Sequence, residues 1–417
     1  MESQNCNCRD TSITEAAYGD IWTAPADQVF DDPLPKTVKS YTLKNSNRME
    51  VTVITLGATI VSLKCPDKYG KPADIALGFD HLKGFLSFNQ NPFIGCILGR
   101  CANLIKDGYF TMKGRGYQLT LNDLGRQHHL HGGKNGLGRR LWESYIADCC
   151  VIMTYLSQDG EEGYPGALLT TVRFRLTADN QLDISMRATT SKPTIVNLSH
   201  GLMFNLAGHK AGEDELKKHK ILLNCDRWTY SEFADPIPTG TIETVGGTIM
   251  DLRIPQELGE CLERMPEGLG YDHNFCVTRN WQSGSLFVAK VWHPPSGRVL
   301  EVYSDQPGVQ VYTGGRLMTE VELEPGEDMG FGIPKLNDSF TVCTEECCQK
   351  MGDEVGDMYI IGKEGAKYRK NCAVSIQPQN YPNAINNKHF PCPILLPGQV
   401  YCHDLTYKFG LHLTEYA

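Results

Sequence analysis

Strict alternation of apolar and polar residues is the feature that most narrows how this chain folds. It runs through Ser144 to Leu156, Thr170 to Leu176 and Leu182 to Thr189, with turn residues such as Asp179-Asn180 between the runs. Neighbouring side chains of a strand point to opposite faces, so this pattern marks strands with one face buried. Val51–Leu56, Gly57–Leu63, Arg298–Tyr303 and Gly308–Thr313 extend the series, and His81–Leu86 reads as a short helix. Only Glu213–Lys220 carries a further helical pattern. Many short strands with turns every eight to twelve residues or so predict an all-β sandwich or barrel. No fixed-period repeat stands out, which argues against propellers and solenoids.

The 417 residues suffice for one large β domain. Residues 1–35 are polar and contain Asp31-Asp-Pro-Leu-Pro35; they read as an N-terminal extension or surface strap. Residues 36–417 make the main domain, interrupted at about 315–371 by an insertion. That insertion carries Glu320, Glu322, Glu324, Glu327 and Asp328, then Cys343-Thr-Glu-Glu-Cys-Cys348. The cysteine spacing lacks a matching second pair unless Cys372 joins, so no metal or other cofactor is expected. A net charge of −9 argues against a nucleic-acid partner. The polar start of the chain and the absence of an eighteen-residue apolar run argue against secretion and membrane spanning. Sixteen scattered cysteines fit a reduced, cytoplasmic protein better than a disulfide scaffold.

One strand pattern is broken by polar groups: Thr194-Ile-Val-Asn-Leu-Ser-His-Gly-Leu-Met-Phe-Asn-Leu-Ala-Gly208. Polar residues inside a core-like strand are either hydrogen-bonded structure or a site. The stretch resembles the Val-Asn-Leu-Thr-Asn-His-Ser-Tyr-Phe-Asn-Leu-Ala-Gly segment of aldose 1-epimerases, the galactose mutarotases. Gly99-Arg-Cys-Ala-Asn103, Leu130-His-Gly-Gly133 with Trp142, Asp251-Leu-Arg253, Tyr271-Asp-His-Asn-Phe275, Gln306 to Gly314 and Gln379-Asn-Tyr-Pro-Asn-Ala384 continue the likeness in order. It spans roughly Tyr41 to Phe409. The resemblance implies a large antiparallel β-sandwich of galactose mutarotase type, with a hexose-like sugar in an open cleft on one sheet.

Mutarotation needs a base that takes the anomeric hydroxyl proton and an acid that protonates the ring oxygen, so that the ring opens and recloses. Aligned without a gap, the family's acid histidine falls on Gly201, and its base glutamate falls on Gln377. An amide hydrogen-bonds a hydroxyl but does not accept its proton. The arginine that follows the family's Ala-Asn falls on Leu104. Asn103, His131, Asp272 and Gln310 match sugar-contacting positions of the family. His200 stands one residue from the acid position, and a one-residue step in a strand turns a side chain to the other face unless a bulge re-aims it.

The expected function is therefore that of a catalytically inactive relative acting as a sugar-binding or protein-interaction module. One alternative is an active epimerase with His200 or His131 as acid. Another is a scaffold that works through its N-terminal extension and acidic, cysteine-rich insertion.

Overall fold

The computed structural model describes residues 5–8, 11–23, 34–87, 91–123, 126–232, 235–266, 269–279, 284–317 and 359–412. They form mainly antiparallel β-sheets, the largest of nine, six and five strands. The alternating runs lie side by side in the nine-stranded sheet. Leu168–Leu176 pairs with Gln181–Thr190, which pairs in turn with Tyr401–Leu411. The turn between the first two places Asn180 at φ 60°, a conformation asparagine tolerates. Asn45 clamps that turn by donating from Nδ2 to the Thr177 carbonyl and to Asn180 Oδ1, at 2.9 and 2.8 Å.

Along Leu168–Leu176 the inward residues Leu168, Val172, Phe174 and Leu176 are buried, while Leu169, Arg173 and Arg175 face solvent. Those inward side chains join Val51, Val53 and Leu63 of the six-stranded sheet in one continuous core. Phe275, Val309, Val311 and Ile376 of the five-stranded sheet belong to the same core. Each such burial contributes about 1.5–3 kcal/mol. This expectation from alternation is met: the fold is mostly strands, and the α-helices among the described residues are Leu82–Leu86, Gly212–Lys217 and, not foreseen from the sequence, Leu258–Arg264.

Residues 11–23 of the N-terminal extension form a 13-residue strand, paired along Leu34–Asn45 from Thr11↔Asn45 to Thr23↔Leu34, with Ile13 buried in the core. Strand pairing is made by the backbone, so a polar sequence joins a sheet edge without an apolar face of its own. Of the expected insertion, residues 318–358 and their acidic and Cys-x3-Cys-Cys runs lie outside the described residues. Residues 359–371 belong to the body of the fold. Ile360–Ile361 pairs with Lys367–Tyr368, Ile360 and Tyr368 are buried, and Lys363 Nζ meets Asp74 Oδ2 at 2.7 Å.

Candidate functional site

The five-stranded sheet supplies a polar floor. Asp272–Val277, Gly308–Tyr312 and Ser375–Gln379 are adjacent, with Asn274, Gln310 and Gln377 in one cross-strand row and Asp272, Tyr312 and Ser375 in the next. Period-two geometry sends Phe275, Val309, Val311 and Ile376 to the core and these residues to the opposite face. Gln310 donates from Nε2 to Asp272 Oδ1 at 2.8 Å, and Arg316 Nε lies 3.6 Å from Asp272 Oδ2. Gln377 donates from Nε2 to Ser375 Oγ at 2.9 Å, and Ser375 Oγ donates to the Leu202 carbonyl at 2.7 Å. Asn274 Nδ2 reaches Thr229 Oγ1 at 3.2 Å. The Oε1 of Gln310 and the Oδ1 of Asn274 are buried without a hydrogen-bond partner among the described residues.

His131 is placed by its glycines. Gly132 and Gly133 have φ of 93° and 101°, and a Cβ on Gly132 would stand 1.7 Å from the Gly99 carbonyl oxygen. Only glycine fits there. The backbone N–H of Asn103 donates to His131 Nδ1 at 3.0 Å, and the His131 N–H returns a bond to the Asn103 carbonyl at 3.0 Å. Nδ1 thus accepts, and the neutral ring carries its proton on Nε2. Burial, with a smaller push from His129, lowers its pKa to about 3. Asn103 itself sits at φ 65° with its Oδ1 accepting from the Leu104 N–H. Leu104 is buried, and with Ile105, Ile195, Tyr381 and Ile385 it walls a small, shallow hollow.

Gly201 is closed in. Its N–H donates to the Cys96 carbonyl and its carbonyl accepts from the Gly95 N–H, both at 2.8 Å. A Cβ at position 201 would stand 2.3 Å from the Phe93 carbonyl oxygen. Phe93 adopts φ 61°; its ring meets His131 edge-on at 5.1 Å, and the Arg139 guanidinium lies 4.8 Å from the ring centre. His200 points the other way. It is fully buried, 6.4 Å from the Phe174 ring of the nine-stranded sheet, and burial, then His403, pushes its pKa down to about 3. No bulge re-aims it: Ser199 and His200 pair in register with Leu98 and Ile97. The possible substitute acid therefore lies in the core, as strand alternation requires, and not on the floor with Gln377.

The model of the aldose 1-epimerase family matches residues 39–408. This chain belongs to the aldose 1-epimerase family. Galactose mutarotase from Bos taurus is 35% identical over 401 residues, covering 96% of this chain and 99% of the bovine protein. Aldose 1-epimerase from Escherichia coli (strain K12) is 32% identical over 280 residues, 66% of this chain and 78% of that one. Among solved structures, a GalM/aldose epimerase homologue from C. elegans matches with a TM-score of 0.71 and 28% identity, covering 88% of this chain and 97% of that chain. Galactose 1-epimerase from Lactobacillus acidophilus NCFM matches with a TM-score of 0.67 at 20% identity, covering 95% and 99%, a likeness of fold.

Within this aldose 1-epimerase fold, the floor brings Asp272, Gln310 and Gln377 together, while Asn103 and His131 form a second group beside Leu104. Phe93 stands between Gly201, which its carbonyl faces, and His131, which its ring meets. Three of these side chains were not singled out by sequence: Phe93, Ser375 and Arg316. Phe93 stands six residues before Gly99 at the head of the Gly-Arg-x-Ala-Asn block, and Arg316 two residues past the Gln306–Gly314 motif. For Phe93 and Arg316 proximity to a motif was the only signal, while Ser375 shares a strand with Gln377 two residues away.

Proposed function

We propose that this protein is a catalytically silent member of the aldose 1-epimerase family that keeps a hydroxyl-binding cleft and acts by binding a sugar. The observation that carries this reading is the space at position 201. Mutarotation needs an acid and a base across the sugar. With the Phe93 carbonyl 2.3 Å from where a Cβ would be, the position matching the family's acid has no room for any side chain. The base position offers the Gln377 amide, tied to Ser375 and unable to accept a proton. His131 holds its neutral form through the Asn103 N–H, which suits it to donate a hydrogen bond from Nε2 and not to shuttle protons. The amides of Gln310 and Gln377 and the carboxylate of Asp272 are groups that read hydroxyls.

Polarimetry of freshly dissolved α-D-galactose and α-D-glucose tests the reading. The expected rate with folded protein equals the buffer rate, while calorimetric titration detects binding. Acceleration in proportion to protein concentration would overturn the proposal and return attention to His131.

A further inference from the structure

At Leu104, the position that matches an arginine of the family, the wall is apolar and opens into a small hollow. Leu104, Ile105 and Ile195, all buried, make its inner wall. Tyr381, Ile385 and Pro393 make its mouth; they are half-buried and reach solvent. The polar side chains on its lining are tied to the protein. Asn197 Nδ2 donates to the Ala102 and Asn380 carbonyls at 3.4 and 3.3 Å, and its Oδ1 accepts from the Asn380 N–H at 2.8 Å. Asn383 Oδ1 accepts from the Lys106 N–H at 3.2 Å and from Asn386 Nδ2 at 2.7 Å. Burial keeps the Cys101 thiol neutral, its pKa pushed up to about 12. A water seated here would forgo most of its hydrogen bonds, whereas a methyl group of similar size has none to lose.

Tyr381 joins this hollow to the polar floor. A Cβ on Gly308 would stand 2.9 Å from the Tyr381 ring, and Gly308 lies two residues from Gln310 on the same face of its strand. On the other side the Asn383 N–H donates to the Leu104 carbonyl at 2.9 Å, one residue from Asn103. The mouth of the hollow thus borders both groups of hydroxyl-reading residues. We propose that the hollow is a subsite for a methyl substituent, and that the ligand is a sugar with a methyl group in place of a hydroxymethyl or on a hydroxyl oxygen. The inference rests on the reading of the cleft as a sugar-binding site.

Calorimetric titration of the full-length protein with D-galactose, D-fucose and the α and β methyl D-galactopyranosides tests it. D-Fucose carries its methyl on C5 and the galactosides carry theirs on the anomeric oxygen, so the arms tell which part of the ring faces the hollow. A methyl in one of these placements is expected to raise affinity over galactose by about 10-fold or more, the discrimination a hydrophobic pocket gives for one such group. Ala384 also lines the hollow, and Ala384→Leu, which fills it, should abolish that preference. Methyl sugars that bind the wild-type protein no tighter than galactose would overturn this inference and leave the sugar-binding reading standing. An equal gain from both placements would show apolar contact without a defined hollow and would overturn it too. A preference that survives Ala384→Leu would overturn the assignment to this hollow. Failure of every sugar to bind would overturn both readings.

Discussion

The carbonyl oxygen of Phe93 stands 2.3 Å from the point that a Cβ on residue 201 would occupy. The obstruction is backbone, held by the bonds from the Gly95 N–H to the Gly201 carbonyl and from the Gly201 N–H to the Cys96 carbonyl, so no rotamer change relieves it. Gly201→Ala is therefore expected to destabilise the protein by about 1–3 kcal/mol, the range for overpacking. Gly201→His should cost at least as much and still give no mutarotation, even combined with Gln377→Glu. Urea midpoints and polarimetry check both. A Gly201→Ala variant as stable as the parent would show that the Phe93 turn yields.

Acid should weaken the fold through histidines that burial keeps neutral. His131, His200 and His219 are pushed down to about 3, and His129 and His273 to about 4, with desolvation the largest cause for each. Below their ordinary value of 6.5 the unfolded chain takes up protons that the folded chain refuses. Their contribution is complete above about pH 6.5 and is lost as pH falls toward the folded values, at up to about 1.4 kcal/mol per pH unit for each group. His200→Leu removes one such group, and with it two buried ring nitrogens that lack partners. The slope of unfolding free energy between pH 6 and 4 or so should fall by about one proton. An unchanged slope would mean that His200 titrates in the folded protein.

Arg100 is buried, and all three of its guanidinium nitrogens donate hydrogen bonds. Nε donates to Ser157 Oγ at 2.9 Å, Nη1 to the Gly166 carbonyl at 2.7 Å, and Nη2 to the Ser157 and Gln158 carbonyls at 3.1 and 2.6 Å. A lysine has three donors on one atom and cannot reach these separate acceptors. Arg100→Lys should cost about 3 kcal/mol or more, because buried carbonyls are left unpaired. Denaturant titration at neutral pH measures the loss; a change below about 1 kcal/mol would show that the network relaxes.

Lys363 ties the chain beyond residue 358 to the six-stranded sheet. Its Nζ donates to Asp74 Oδ2 at 2.7 Å and to the Val61 carbonyl at 3.0 Å, while Asp74 Oδ1 accepts from the Leu63 and Ala76 N–H groups. Lys363→Met leaves that carboxylate buried without its counter-ion, at a cost of about 3–5 kcal/mol. Adding Asp74→Asn should recover part of the loss, since the uncompensated charge is gone. If the double variant is no more stable than Lys363→Met, the pair is not coupled in this way.

Local chemistry alone determined a good deal here. Alternation in Thr170–Leu176 and Leu182–Thr189 set the faces of the central strands, because a pleated strand permits only two directions. The likeness of separate blocks named the family, and position-by-position matching marked Gly201, Gln377 and Leu104 as departures. Strand alternation also argued for His200 facing away from the cleft. Tertiary structure decided the rest. The Phe93 carbonyl that fills the space at Gly201 comes from over a hundred residues upstream. The pairing of Arg316 with Asp272, the bond from the Ser375 hydroxyl to the Leu202 carbonyl, and the pairing of Thr11–Thr23 with Leu34–Asn45 are likewise contacts between separate segments of the chain. No residue's own preference encodes such contacts; they exist because sheet register and chain crossing bring particular backbone atoms to the same place.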